Sequence, residues 1–444
     1  MLRNRVRIRA VYAAILAVSF APQSEALTID LQYPSSPLFS TLHDPVAKAA
    51  IDAAAFDLST AVTTSLSAVT TDAYSGSSGG AEITFGFEFK YRDPLSNTDG
   101  HIIVPNATIS SNVVNLFVGA RNLTGNTLGV GSPGLVQLDY SQFSGGGTNP
   151  NGLPGAVSIA ESKAQAAYKR GSGPVIGTAM GSATLGNVSA DIDVDYGLAY
   201  GSISFDWDSN NNGVKDTDTQ LSTYWHFDHT TAVAAGKNDL YSVALHEMLH
   251  TLGIGSSPTW DSKVSGTSWT GSQVQALTGS GANLIVPPTM MDPIGSHAAS
   301  GLMSRRISDG AQQEVVIDPN ITTGQRKSLT ELDLAFLRDI GHTTVIPSFP
   351  SLPGDFNGDG DVDAGDLTTW RNYYAVNANG DADGDGDTDG RDFLHWQRNY
   401  TGTLSIAAVP EPNSLVLLLT LATALISLRR SGGRTISSRF GDHG

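Results

Sequence analysis

The chain has 444 residues, of which 40% are apolar and only 16% charged, with 48 glycines. That composition excludes a coiled coil and a disordered tail, and the length suggests two or three units. A net charge of −17 excludes a protein that grips nucleic acid through its phosphates. The absence of cysteine excludes disulfides, thiolate metal sites and cysteine nucleophiles. Bound metal is the staple left to an exported chain of this kind.

Residues 1–26 read as a signal peptide. Arg3, Arg5, Arg7 and Arg9 precede a short apolar run, and Ser24-Glu25-Ala26 offers small residues for cleavage after Ala26. Residues 27–346 form one large expected domain. Residues 45–69 are alanine-rich with helical spacing. AEITFGFEFKY, residues 81–91, alternates as a strand, and residues 113–120 and 201–206 also read as strands. Gly/Ser/Asn-rich stretches such as residues 141–155 read as loops. Helix, then strands, then a second long helix is an α+β order. DWDSNNNGVKDTD places Asp208, Asn210, Asn212 and Gly213 in calcium-loop spacing, but position 12 is Thr219. A polar turn and an ion site both fit it.

The second long helix, NDLYSVALHEMLHTLG, carries the chemistry. Asn238 or Asp239 can cap it, and Gly253 can end it. His246 and His250, four residues apart, project from one helical face with Glu247 between them in sequence. H-E-x-x-H on a helix pairs two zinc ligands with a general base.

The extended string HEMLHTLGIGSS resembles the metzincin signature, HExxHxxGxxH/D. Ser256 stands at the third-ligand position and is a poor ligand, so another donor is needed. His297 in MMDPIGSHAASGLMS is favoured; Asp261, His226, His229 and His342 are the alternatives. The order His246, Glu247, His250, Gly253, His297, then the helix SLTELDLAFLRDIGH, resembles leishmanolysin-like metalloproteases. There a long insertion separates the zinc helix from the third histidine. Ser328 and Glu331 are the expected capping box of the last helix, and Gly341 its end. The resemblance implies a zincin-like fold and a methionine beneath the zinc. Met303 follows His297 and is the candidate. The VIDP turn offers Ile317 instead, and Met290 and Met291 come too early. It also implies a Zn²⁺ endopeptidase in which Glu247 activates water. The polypeptide substrate would lie along an edge strand, for which residues 201–206 are the candidate.

Residues 347–353 (PSFPSLP) form a proline-rich linker. Two segments then repeat, starting at Asp355 and Asp381, within a stretch (355–392) that holds 11 of the 43 acids. In the first, Asp355, Asn357, Asp359, Asp361, Asp363 and Asp366 fall at loop positions 1, 3, 5, 7, 9 and 12; in the second, Asp381, Asp383, Asp385, Asp387, Asp389 and Asp392 do. Alternate oxygen ligands around a glycine turn are a calcium pattern, and Ca²⁺ is the expected ion. Each loop leads into a helix-like run with Trp370 or Trp396. Twin loops ending in Asp rather than Glu resemble a type I dockerin over residues 354–402. The resemblance implies a cohesin-like partner; a plain calcium-stabilised spacer is the alternative.

Residues 403–430 contain Val409-Pro410-Glu411-Pro412, an apolar tract at 415–428, then Arg429 and Arg430. The tract would span about 21 Å as a helix, short of the roughly 30 Å membrane core. It resembles the PEP-CTERM sorting signal, which implies a temporary membrane anchor in a protein of the bacterial envelope, surface or extracellular matrix. Residues 431–444 are a tail, longer than that signal usually shows, so a permanent anchor is the alternative. The sequence thus leads to an exported zinc endopeptidase with a calcium module. The rival reading is a catalytically degenerate, calcium-stabilised envelope attachment protein.

Overall fold

The computed structural model describes residues 27–401 except 99, 288, 290–294, 347–351 and 359. The segment expected to be a signal peptide, Met290, Met291, Asp359, most of the proline-rich linker and the segment that resembles a PEP-CTERM signal lie outside the described residues. The chain divides into two compact units, with the boundary after Pro350.

The first unit is mixed α and β. Strand β1 (Thr28–Gln32) leads to helix α1 (Asp44–Ala61). Buried Ala47, Ala50, Ala54 and Leu58 share one α1 face, the spacing that made the helix legible. The helix stops earlier than expected. Val62 turns extended and bridges to Thr344, and the Thr63 amide donates to the Thr343 carbonyl at 2.8 Å. A distant strand partner, not local propensity, ends α1 there.

Strands β2 (Ala73–Ser78), β3 (Ala81–Arg92) and β4 (His101–Val104) follow, then β5 (Val113–Arg121), β6 (Gly129–Pro133) and β7 (Leu135–Gly147). β3 pairs antiparallel with β2, β4 and β7. β7 runs through the start of the glycine-rich stretch read as loop, because β3 supplies a ladder on both sides of a bulge at Thr84–Gly86, with Ala81 opposite Gly147 and Lys90 opposite Leu135. Helix α2 (Leu153–Tyr168) covers this sheet, and a hairpin of β8 (Gly177–Leu185) and β9 (Val188–Tyr196) extends the layer.

β10 (Tyr200–Asp206) completes the sheet that builds the site, in the order β1-β5-β10-β6. β1, β5 and β10 are parallel; β6 is antiparallel and stands at the end. β10 was the expected substrate strand. It is instead flanked by β5 and β6, so both of its ladder edges are used; β6, at the end of the sheet, pairs with no further strand among the described residues. Helix α3 (Asp218–Tyr224) leads to α4 (Leu240–Thr251), which lies between α1 and the β6/β10 part of the sheet. All of α4 is buried, which explains a sequence apolar almost all round. A hairpin of β11 (Met303–Arg305) and β12 (Gln312–Glu314) precedes α5 (Glu331–Asp339).

The capping box of α5 is Thr330 with Asp333, not Ser328 with Glu331. Ser328 is held in extended chain by Gln313, which bonds both its amide and its carbonyl, so the helix starts two residues later. A fully buried guanidinium, Arg170, donates to the carbonyls of Ser67, Ser110, Val113 and Leu198 and ties these loops together.

The second unit contains α6 (Ala364–Tyr373) and α7 (Gly390–Asn399), each preceded by an acidic loop. Each tryptophan serves the other repeat. Trp370 Nε1 donates to the Asp389 carbonyl at 2.9 Å, and Trp396 Nε1 donates to the Asp363 carbonyl at 2.6 Å. Phe393 sits between the two indoles, with ring centroids 5.0 and 5.3 Å away.

Candidate metal centre

Asp239 caps α4, its carboxylate accepting from the Ser242 amide at 3.2 Å, and Gly253 (φ 105°) follows its end. His246 and His250 project from one face. The chain then turns back through Gly255 (φ 65°), where a Cβ would run into the Ser296 carbonyl. That close approach is how the distant His297 loop reaches the helix.

The Nε2 atoms of His246, His250 and His297 form a triangle with all three sides 3.2 Å. A tetrahedral ion with bonds of about 2.0–2.1 Å needs nitrogen separations of about 3.3–3.4 Å. His246 Nδ1 lies 2.8 Å from the Val316 carbonyl, and His250 Nδ1 lies 2.8 Å from the Ile254 carbonyl. A carbonyl only accepts, so both Nδ1 atoms carry the proton and both Nε2 lone pairs face the triangle's centre. His297 Nδ1 meets the Ser296 hydroxyl at 2.8 Å. Converging lone pairs repel unless a cation stands among them, so the donor set fits a metal ion. Burial, and next the neighbouring imidazoles, hold His246 well below the ordinary histidine range.

None of the alternative third ligands joins this triangle among the described residues. Asp261 is exposed at the end of a short helix, and Ser256 Oγ donates to the His250 carbonyl. His226 lies beside the Thr231 hydroxyl, and the His229 carbonyl accepts from Arg326. His342 is buried elsewhere, between the Thr64 hydroxyl and the Leu252 carbonyl.

Met303 does not lie beneath the histidines. It is 52% exposed on the β11 hairpin. The segment that meets His246 is the Val316-Ile317 turn, and both side chains are fully buried. Its position is set by Asp333, which sequence reading missed as a site residue. The Asp333 carboxylate accepts from the amides of Val316 (3.1 Å), Ile317 (3.2 Å) and Thr330 (3.0 Å) and from the Thr330 hydroxyl (2.7 Å). The S/T-x-x-D spacing was a signal for its capping role only.

Glu247 is buried beside β6. A Cβ at Gly129 would meet its side chain at 2.7 Å, and one at Gly131 would run into its backbone carbonyl. The two glycines therefore let the edge strand lie against the helix. Burial pushes the Glu247 carboxyl up to about 8, and a hydrogen bond from the Gly131 amide opposes that shift. A cleft of about 920 Å³ opens here, bounded by β6, α4 and residues 319–323.

In the acidic repeats, the position-1 aspartates shape the loops. Asp355 accepts from the amides of Gly358 and Gly360, and Asp381 from those of Gly384 and Gly386. The position-12 aspartates close them. Asp366 accepts from Phe356, Asn357 and Asp363, and Asp392 from Ala382, Asp383 and Asp389. Asp381, Asp383 and Asp385 bring ligand atoms within 4.8 Å of one another, as do Asp387, Asp389 and Asp392. Repulsion from Asp385 raises Asp387, the mark of crowded like charges. The loop at Asp208 is self-satisfied. The Asp208 carboxylate takes the Asn212 and Gly213 amides, Asp216 takes Ser209 and Asn210, and Thr219 is already inside α3.

A family model described as the dockerin type I domain matches residues 353–399. The second unit thus contains a dockerin-type module, of a family that binds calcium, pairs with cohesins and occurs in secreted or cell-surface bacterial proteins. Neither the curated proteins nor the solved structures gave a match to the chain. Among the described residues, no helix is long and apolar enough to cross a membrane.

Proposed function

We propose that the chain is an exported zinc endopeptidase with a zincin-like first unit, attached to a calcium-binding dockerin module that docks on a cohesin-like partner. The supporting observation is the triangle of three Nε2 atoms at 3.2 Å beside a buried Glu247, on an open cleft. His246, His250 and His297 would hold the zinc. When bound, zinc supplies Lewis acidity and lowers the pKa of water toward ~7. Glu247 takes the proton of the attacking water and returns it to the leaving amine. The Gly131 amide orients that carboxylate. β6, at the end of the sheet, pairs with an extended substrate. The Val316 carbonyl and Asp333 keep His246 in the tautomer that ligates.

The test is zinc content and casein cleavage by the full chain, beside His297→Ala and Glu247→Gln. One zinc per chain is expected at the histidine site, lost in His297→Ala and kept in Glu247→Gln. Cleavage should be lost in the first variant and fall by about 10²–10⁴ in the second. A zinc-free wild type after reloading, with casein intact, would sink the peptidase and leave the calcium-stabilised attachment protein.

A further inference from the structure

The acidic turn at residues 206–216, whose spacing fitted a polar turn and an ion site equally, has a task in the fold. Its carboxylates hold its own backbone: Asp208 takes the Asn212 and Gly213 amides, and Asp216 takes that of Ser209. Among the described residues, none from 208 to 216 lines the cleft. The turn touches the rim of the cleft instead. Residues 122–128 connect β5 to β6, and Asn126, Thr127 and Leu128 bound the cleft just before Gly129 begins the strand. Residues 124–127 are exposed. Gly125 is left-handed (φ 73°), and a Cβ built on it would meet nothing within 4 Å, so side-chain packing does not hold the tip of this loop.

The hold is polar and comes from the turn. Asn211 Oδ1 accepts from the Gly125 amide at 2.9 Å, and Asn211 Nδ2 donates to the Gly125 carbonyl at 2.9 Å. A side-chain amide thus supplies both bonds that a paired residue would supply in an antiparallel ladder. Asn211 is itself left-handed (φ 56°), a conformation asparagine adopts more readily than most residues. Two ties run beside this clamp. Asn122 Nδ2 donates to the Asp208 carboxylate at 2.9 Å, and the Leu123 amide donates to the Asp206 carboxylate at 3.0 Å. Both acceptors are buried, which strengthens bonds to them. Past the rim, β6 has its own ladder on β10, with Phe205 opposite Gly129 and Ile203 opposite Gly131. The stretch against Glu247 is therefore held independently of the clamp.

We propose that Asn211 is a positioning residue of the peptidase and that the acidic turn is the rigid mount that presents it. It acts through residues 122–128, keeping the rim in line with β6, so that an extended polypeptide meets one continuous edge. The inference rests on the peptidase reading above. The test compares the full zinc-loaded chain with Asn211→Gly, which keeps the left-handed backbone and removes both bonds. Asn122→Ala is the second variant; it removes a tie from the rim side and leaves every residue of the turn in place. Zinc content, amide hydrogen exchange, and kcat and KM on labelled casein are measured. In Asn211→Gly, exchange across 122–128 should quicken by about tenfold or more while 206–216 stays protected. KM should rise about tenfold with kcat within about twofold, because the zinc ligands and Glu247 are untouched and only binding is loosened. Asn122→Ala should shift both in the same direction by less. Rim exchange unchanged in both variants would overturn the clamp. A quickened rim with wild-type KM would overturn its role in aligning substrate. A fall in kcat together with zinc loss would make the turn a support of the metal centre and overturn the proposal. Casein left intact by the wild type would overturn the peptidase reading, and the positioning role with it.

Discussion

Removing the Asp333 carboxylate is the sharpest perturbation of the centre that touches none of the three histidines. In Asp333→Ala the amides of Val316, Ile317 and Thr330 and the Thr330 hydroxyl lose their acceptor, and all three residues are fully buried. Each buried donor left unsatisfied costs about 1–3 kcal/mol, while the N-cap itself, Thr330, stays and still accepts from the amide at position 333. Burial raises the Asp333 carboxyl, so deletion also relieves a desolvation cost. A net loss of about 4 kcal/mol is expected, against about half that for Asp333→Asn, which keeps one acceptor oxygen. Urea unfolding followed by tryptophan fluorescence reads it, with buried Trp225, Trp260 and Trp269 as reporters. The Val316 carbonyl would also lose its hold on His246, so zinc affinity should fall about 10–100-fold. A loss below about 1 kcal/mol with unchanged zinc affinity would refute the assignment of Asp333 as the hold on this turn.

Other expectations follow from the same geometry. Burial lowers His342 from 6.5 to about 4. The unfolded chain therefore binds this proton first as pH falls, so stability is full above pH 6.5 and declines by about 3 kcal/mol on the way to pH 4. His342→Gln should flatten that slope in unfolding experiments across pH 4–7; an unchanged slope would assign the acid sensitivity elsewhere. Arg326→Ala leaves the Asp239 carboxylate, fully buried at the α4 N-terminus, without its cation, and should cost about 3 kcal/mol in urea unfolding. Arg326→Lys should recover only part of this, because the carbonyls of Asp228, His229 and Thr231 need the guanidinium fork; full recovery would show that charge alone matters. Chelation of calcium should abolish the near-ultraviolet circular dichroism of the Trp370–Phe393–Trp396 stack, and added Ca²⁺ should restore it. A signal indifferent to chelator would mean that the aspartate–amide bonds hold the loops unaided.

The sequence by itself determined whatever depends on local spacing. His246 and His250 share a face because four residues nearly complete a helical turn. The acidic loops and their tryptophans were legible because the repeat carries ligand positions, turn glycine and aromatic in one register. The alternation of residues 81–91 marked its strand for the same reason. Alanine spacing marked α1 but not its end, which a bridge to Thr344 decides.

Only the tertiary structure decided what depends on distant partners. His297 joins its two partners through the close approach of Gly255 to Ser296, and no spacing rule encodes that separation. Met303 fitted by order in the chain, yet the Val316-Ile317 turn occupies the place because Asp333 anchors its amides. The edge strand was hidden. Gly129–Pro133 has a glycine-rich, weak strand pattern, whereas β10 has a strong one. The strong pattern belongs to the strand buried by neighbours on both sides. The weak one belongs to the strand that must lie against Glu247 at the end of the sheet, because a side chain at Gly131 would occupy the space of the helix backbone.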